Sequence, residues 1–469
     1  MNRFSLVYLC IFSFAISVLS FLNIIYSNYF NLYLNIDSYV YSLIVSFLFA
    51  LLFLLKKKNK DYKVSIYEKI ITVFLGYIIL PIFIAIPYYL SIYNITFVNA
   101  YFEAVSGFTS TGFSIFENIK HLDESLIIWR SSSQWIGGLY FLFSLILLID
   151  IFDVNLKKPL TNLLSFNTSE TLKQSTKILL LYIFLTFGIF IILNIFDIRA
   201  FSSFNLSMTI ISSGGFLPTN SLEVIINSKI KEIVVSFLML VSFFSLFLSY
   251  NLFTVKNKNF SFFQEDLYLL VYFLFIVLLF FFLINNPNDF SETFLSITSS
   301  VSNIGLSLKG NYQNSSFIFL IITIIGGSFF STSSGIRFVK IYSLFKFSIN
   351  ELASHAKPLN IFVNKLEFSG SKLETVEINK YFISVLIFII SLCLLTSLLT
   401  IVGINLESAF KLAVLTLMNT VNSSIHGLND FNFNELQYLT KYFLVIFMII
   451  GRVELLTLLI ILKKFLFKN

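Results

Sequence analysis

Ten long apolar runs, each able to cross a lipid bilayer as a helix, constrain this chain more than any other feature. They lie at about 4–27, 38–55, 69–92, 128–152, 177–196, 231–255, 266–285, 316–345, 379–403 and 438–462, and a membrane-spanning helix needs about 20 such residues. Hydrocarbon cannot hydrogen-bond a peptide group, so a chain of this kind has two options, helices or a closed barrel. Barrel strands would alternate apolar and polar residues, and these runs do not. Composition agrees: 57% of residues are apolar and 12% charged, against about 25% charged in soluble domains. The first run follows Met-Asn-Arg as a secretory signal would. It is too long for a signal core and no small-residue cleavage motif follows, so it is expected to be retained.

The charges follow the membrane. Lysines cluster in alternate connections, at Lys56, Lys57, Lys58, Lys60 and Lys63, then Lys157, Lys158, Lys173 and Lys177, then Lys256 and Lys258. The segment after 336 adds Arg337, Lys340, Lys346, Lys357, Lys365, Lys372 and Lys380, and the chain finishes with Lys463, Lys464 and Lys468. With Arg3 and Lys69, 23 of the 32 Lys and Arg fall on one side and 8 on the other, leaving Arg452 within a run. By the positive-inside rule both ends of the chain are expected in the cytoplasm, as an even number of spans requires. A net charge of +7 distributed this way is not a nucleic-acid footprint.

Enzyme chemistry finds little support. Cys10 and Cys393 lie inside apolar runs and read as buried thiols. His121, His355 and His426 are far apart, and no nucleophile–base pair stands out. A membrane enzyme acting on lipid or isoprenoid substrates would cluster His, Asp and Arg at one membrane face, which is not seen. A coupled secondary transporter usually needs acidic residues deep in its spans, whereas Asp150 and Asp153 sit near a cytoplasmic end.

Four of the connections are not ordinary loops. At 102–112 (FEAVSGFTSTG), 207–215 (SMTIISSGG), 294–305 (FLSITSSVSNIG) and 410–422 (FKLAVLTLMNTVN), an apolar run leads into a short half-polar segment and another run follows. Each is too short to span but suits a helix that descends partway and returns as extended chain. Backbone at that depth survives where it lines a water-filled path. A dehydrated cation needs a ring of oxygens, and main-chain carbonyls supply one without burying fixed charge. Glycine lets the backbone aim a carbonyl at the axis, and neighbouring Ser, Thr or Asn can brace the loop.

EAVSGFTSTG at 103–112, together with WRSSSQWIGG at 129–138, SSGGF at 212–216, GGSFFSTSSGIRFVK at 326–340 and GRVELLTLL at 451–459, resembles the Trk/Ktr/HKT superfamily of potassium transporters. The likeness is greatest to its TrkH-type bacterial subunit and runs from about residue 70 onward. It implies span–pore helix–span repeats with one filter glycine each, which here would be Gly112, Gly215 and Gly305. In the fourth repeat an ungapped reading places Asn422 there, and Gly427 is the next glycine. Asn tolerates positive φ better than most residues, so the expected potassium ligands are Thr111, Gly112, Gly214, Gly215, Ile304, Gly305, Val421 and Asn422. The asparagine leaves a sodium-permeable or poorly selective permease open as the alternative.

Two features suggest a gate. Gly326, Gly327, Ser331, Thr332, Ser333, Ser334 and Gly335 interrupt the run 316–345. Small residues can serve close helix packing or mark a broken, mobile helix, and the resemblance implies an intramembrane gating loop. Arg452 lies 14 positions past Tyr438, too deep to snorkel easily. It reads as half of an ion pair, with Glu454 a poor candidate, or as a pore-facing cation; the resemblance implies the latter. Glu103, Glu117, Asp123, Glu124, Asp289, Glu292, Asp430 and Glu435 lie toward the outer side, where they can concentrate cations. Trp129, Arg130 and Trp135 suit an outer-interface anchor, although Trp135 is deep for that role.

The expected fold is an all-α polytopic membrane protein of ten transmembrane helices, with four span–pore helix–span repeats around a central ion pore. Residues 1–66 would form two leading helices, 67–156 repeat 1, 157–257 repeat 2, 258–350 repeat 3 and 351–469 repeat 4. The expected function is potassium uptake across a bacterial inner membrane, in contact with lipid. The resemblance further implies a homodimer and a cytoplasmic TrkA-like nucleotide-binding regulatory subunit. The chain has no glycine-rich phosphate loop, so no cofactor of its own is expected and potassium is its substrate.

Overall fold

A computed structural model describes residues 3–52, 65–152, 171–246, 263–283, 290–308, 315–355, 367–368, 371–372, 375–428 and 431–453. The fold is helical and polytopic. Helices α1 (Arg3–Tyr29) and α2 (Ile36–Leu51) lead the chain, and four groups follow that share one pattern. Group 1 is α3 (Ile66–Tyr89), α4 (Phe97–Phe108) and α5 (Glu124–Phe152); group 2 is α6 (Thr171–Ile195), α7 (Ala200–Ile211) and α8 (Lys229–Phe243). Group 3 is α9 (Phe263–Leu283), α10 (Phe290–Val301) and a broken helix, α11 (Ser316–Ile324) and α12 (Phe338–His355). Group 4 is α13 (Thr375–Ile401), α14 (Leu406–Leu417) and α15 (Tyr438–Val453).

Among the described residues, seven helices are long and apolar enough to cross a membrane: α1, α2, α3, α5, α6, α9 and α13. The expected spans 231–255 and 438–462 begin as α8 and α15, and residues 247–255 and 454–462 lie outside the described residues. The lysines expected at 56–63, 157–158, 256–258, 357, 365 and 463–468, together with Asp153, Asp289, Asp430 and Glu454, also lie outside them. Polarity is inverted relative to a soluble protein. Phe275, Phe281 and Phe282 face outward at 61%, 64% and 77% exposure, while dozens of Ser, Thr and Asn side chains are buried. That arrangement suits hydrocarbon outside and hydrogen-bonding groups within.

The middle helix of every group, α4, α7, α10 and α14, is 12 residues long. At 1.5 Å per residue each reaches about 18 Å, roughly half of a bilayer core. The groups close into a ring through these helices: α5 packs on α7, α8 on α10, α11 on α14, and α15 on α4. The leading pair sits outside the ring, with α1 against α3 and α5 and α2 against α3. Buried hydroxyls join it to the rest, Ser20 Oγ lying 3.2 Å from Ser42 Oγ, which donates to the Phe83 carbonyl at 3.0 Å.

Local sequence explains several of these elements. Ser65 and Glu68 form a reciprocal capping box at the start of α3. Groups 1 and 4 use one device to seat their short helix. A Cβ at Gly137 of α5 would stand 2.0 Å from the Phe108 carbonyl oxygen, and one at Gly451 of α15 would stand 2.3 Å from that of Leu417. Those carbonyls end α4 and α14, so the two long helices touch their pore helices backbone to backbone.

Gly137→Ala separates two effects of opposite sign. Helix propensity alone favours alanine by about 1 kcal/mol, whereas the clash with backbone that cannot rotate away costs roughly 1–3 kcal/mol. A net fall in Tm of the detergent-solubilised protein is expected; a rise would mean that α5 and α4 are not in contact there.

Candidate functional site

The four short helices end in one shared turn. Beyond their last residues stands one residue in the left-handed region: Ser110 (φ 56°), Ser213 (52°), Asn303 (59°) and Asn419 (48°). The next residue's N–H then reaches back five positions. Thr111 donates to the Ser106 carbonyl at 2.9 Å, Gly214 to Thr209 at 2.8 Å, Ile304 to Ser299 at 3.0 Å and Thr420 to Leu415 at 3.0 Å. This is the Schellman ending, which usually places glycine at the left-handed position. Here serine and asparagine hold it, both of which can bond locally.

This register decides which residues are equivalent. Two positions past each left-handed residue stand Gly112, Gly215, Gly305 and Val421. The fourth member of the ring is therefore Val421. Asn422, expected there, lies one residue farther along, and its Nδ2 donates to the Leu428 carbonyl at 3.3 Å. The ungapped sequence reading slipped by one because nothing in it marked the left-handed Asn419. Thr420, which was not expected, pairs with Thr111, Gly214 and Ile304. Gly427 does not join the ring: it ends a short 3-10 turn, Ser424–His426, with φ 66°.

The four segments converge at close range. A Cβ added to Gly112 would lie 2.9 Å from the Gly215 Cα and 3.0 Å from the Val421 Cβ. At Gly215 it would meet the Val421 Cβ at 2.3 Å, and at Gly305 the Val421 carbonyl oxygen at 2.6 Å. The valine side chain thus occupies space that the three glycines leave open. Gly112 and Gly305 also have φ of 83° and 78°, a region L side chains rarely adopt.

One side of the ring opens into a cavity of about 1200 Å³ whose lining includes Glu117, Glu407, Lys411 and Asn422. Lys411 Nζ lies 2.6 Å from Glu407 Oε1, and this hydrogen bond holds the exposed Glu407 carboxyl below the usual range. On the other side lies the interrupted span. Strands β1 (Ile325–Gly326) and β2 (Ile336–Arg337) pair in parallel and pinch the loop between them at its base. Thr332 Oγ1 donates to the Ile211 carbonyl at 2.7 Å and lies 3.3 Å from Ser213 Oγ, so the loop is tied to the turn of group 2. The loop also bonds the end of α8, Ser328 N to the Phe243 carbonyl at 3.0 Å and Ser333 N to the Ser242 carbonyl at 3.2 Å.

Arg452 joins the loop to group 1. It is 1% exposed, and its guanidinium donates to Ser334 Oγ and, at 3.4 Å, to Ser110 Oγ. Among the described residues no carboxylate pairs with it. Arg337, expected among the cytoplasmic cations, is instead buried at 2% exposure. Its Nη1 donates to the carbonyls of Ser328 at 3.1 Å and Ser333 at 3.0 Å. Glu265, an acid that the sequence did not mark, is buried near the start of α9 and accepts the Phe329 N–H at 2.8 Å.

Two further expectations change. Glu103 and Arg130, read as an outer charge and an interface anchor, form a buried ion pair with Nε–Oε1 at 2.9 Å. Glu103 Oε2 also accepts the Ile115 N–H at 2.8 Å, and Arg130 lies 4.2 Å from the Phe216 ring centroid. The pair therefore braces the segment after Gly112 against the one after Gly215. Trp129 is buried, donating to the Ile84 carbonyl at 3.0 Å, and Trp135 donates to Thr186 Oγ1 at 3.0 Å.

Glu103→Ala leaves Arg130 buried without its partner and is expected to cost roughly 3–5 kcal/mol, read as a lower Tm in detergent. Replacing both residues with apolar ones of similar size should cost far less. Equal losses in the two variants would show that the charge pairing is not what matters.

No protein-family model matches the chain. It is 24% identical over 348 residues to an uncharacterized cation transporter of Methanocaldococcus jannaschii, covering 71% of each chain. It is also 24% identical over 390 residues to the Trk system potassium uptake protein TrkH of Escherichia coli, covering 78% of this chain and 79% of that one. The crystal structure of the potassium transporter TrkH from Vibrio parahaemolyticus superposes with a TM-score of 0.80 at 19% identity, over 98% of this chain and 99% of the other. With ring, turn and broken span in place and these relatives covering most of its length, the chain is similar in sequence and in fold to the Trk-type potassium transporters.

Proposed function

We propose that this chain is the membrane-embedded pore of a potassium uptake system, with the ring at Gly112, Gly215, Gly305 and Val421 as its selectivity filter. The convergence of four identically ended 12-residue helices on one point carries this reading. Potassium would exchange its water for the carbonyls of Thr111, Gly112, Gly214, Gly215, Ile304, Gly305, Thr420 and Val421. The 1200 Å³ cavity is then the outer vestibule. The names of the relatives, potassium uptake proteins of Escherichia coli among them, support potassium as the cargo.

Below the filter the path meets Arg452 and the loop spanning Gly326, Gly327, Ser331, Thr332, Ser333, Ser334 and Gly335. These form the gate in this reading: hydroxyls tie the loop to the turns of groups 1 and 2, and a fixed positive charge opposes a passing cation. Uptake is driven by the membrane potential, about 2.3 kcal/mol per charge per 100 mV. The excess of Lys and Arg on one side supports cytoplasmic ends in a bacterial inner membrane. The four groups correspond to repeats bounded near 67–156, 157–257, 258–350 and 351–469. A homodimer and a cytoplasmic nucleotide-binding regulatory subunit complete the proposed assembly, on the strength of the resemblance.

A second reading, low selectivity or sodium permeation, is favoured by one observation. Val421 places a β-branched side chain where the other three repeats have glycine, so its methyl groups crowd the ring on one side.

Rb⁺ and Na⁺ fluxes in proteoliposomes test the filter. Gly112→Ser is expected to lower the Rb⁺/Na⁺ ratio severalfold and Val421→Gly to raise it; unchanged ratios in both folded variants would remove the ring from the pathway. Growth of potassium-uptake-deficient cells at limiting potassium reports on the physiological role.

Arg452→Ala tests the gate. Removing about 1.4 kcal/mol of barrier raises flux roughly tenfold, so a flux increase near that size is expected. Wild-type flux in the folded variant would show that Arg452 does not oppose permeation.

A further inference from the structure

Arg452 lacks the compensation a buried cation normally has. Its polar partners are neutral hydroxyls, those of Ser334, Ser110 and Tyr77, its Nε atom is buried with no hydrogen-bond partner among the described residues, and the Arg337 guanidinium stands nearby. Both arginines approach one ring. The Cζ of Arg452 lies 4.0 Å from the Phe141 centroid and that of Arg337 lies 5.0 Å from it. An aromatic face attracts cations through its quadrupole, more so where water is excluded, and all three side chains are at most 3% exposed.

We propose that Phe141 is a positioning residue of the gate, its π system holding Arg452 and Arg337 together and so keeping the loop in its present place. This inference rests on reading that loop as the gate. The three partners belong to different parts. Phe141 is on α5, a helix seated backbone to backbone on α4 and fixed nearby by the Tyr140 hydroxyl, which donates to the Val73 carbonyl at 2.9 Å. Arg337 closes the base of the loop and gathers the carbonyls of Ser328 and Ser333. Arg452 comes from α15 and reaches the loop through Ser334. Moving the loop away from the turns must separate Arg452 from Ser334 and shift Arg337, and the shift draws the Arg337 cation off the ring that Arg452 also occupies. Two like charges would otherwise repel at this range, so the ring turns an unfavourable pair into a latch.

A phenylalanine that only filled the core would respond to volume, whereas a latch responds to ring electronics. Mono-, di- and trifluorophenylalanine at position 141 weaken the quadrupole stepwise with little change of size. Rb⁺ flux in proteoliposomes is expected to rise along this series, severalfold or more by the trifluoro ring. The rise should be smaller in an Arg452→Ala background, where one cation is gone. A flat or falling series overturns the proposal if Arg452→Ala alone raises flux. If Arg452→Ala leaves flux unchanged, the gate reading itself fails. Should the fluorinated proteins not assemble, Phe141→Tyr must retain wild-type flux and Phe141→Leu must exceed it; equal flux from the two refutes the latch.

Discussion

A peptide group in hydrocarbon has no water to turn to, and besides the interrupted span the chain ends a short helix at membrane depth four times. Each exit has to satisfy its own backbone, and the shared solution is the left-handed turn at Ser110, Ser213, Asn303 and Asn419, closed by a bond five residues back. The rest of the architecture follows from it. The turn sends the chain back toward the membrane face it came from, leaves the residues after it extended, and brings Gly112, Gly215, Gly305 and Val421 together. Glycine could hold each left-handed position with less strain, but serine and asparagine keep a polar side chain there. Two of those side chains join repeats: Asn419 Nδ2 donates to Thr111 Oγ1 at 3.0 Å, and Asn303 Nδ2 donates to Thr420 Oγ1 at 3.3 Å.

The same economy shapes the far side of the ring. A loop of small polar residues at this depth is stable when each N–H and hydroxyl finds a partner, and here the partners are helix ends, the α8 terminus and the last carbonyl of α7. Hydroxyl contacts of this sort are individually modest, about 1 kcal/mol each, so a segment held by several of them can be released without dismantling the helices around it. Buried charge follows a different rule. Glu103 and Arg130 neutralise each other behind the filter, while Arg452 is left with hydroxyls and an aromatic ring. The first arrangement suits a fixed brace, the second a charge that acts on passing ions.

Much of this was legible from residue order. The apolar runs located the long helices to within a few residues, and the half-polar segments at 102–112, 207–215, 294–305 and 410–422 end where the extended segments begin. The interruption at 326–335 announced the broken span. What residue order did not reveal was pairing across repeats. Arg130 looked like an interface residue because its partner Glu103 is 27 positions away, and Arg337 looked cytoplasmic because a lysine-rich segment follows it. The one-residue slip at Asn422 has the same origin: Asn, Thr, Val and Asn follow one another from 419 to 422, and only the backbone conformation shows which asparagine makes the turn.

Residue order by itself determined that this chain is a helical membrane protein, how many apolar runs it has, and that four of their connections return as extended chain. These are local matters, set by hydrophobic length and by the conformations glycine and small polar residues allow. The tertiary structure decided the ring's register, the placing of Val421 among three glycines, and the meeting of Arg452, Arg337 and Phe141. These depend on which helix ends face one another. That choice is made by close contacts such as Gly137 on Phe108 and Gly451 on Leu417, between residues that residue order keeps apart.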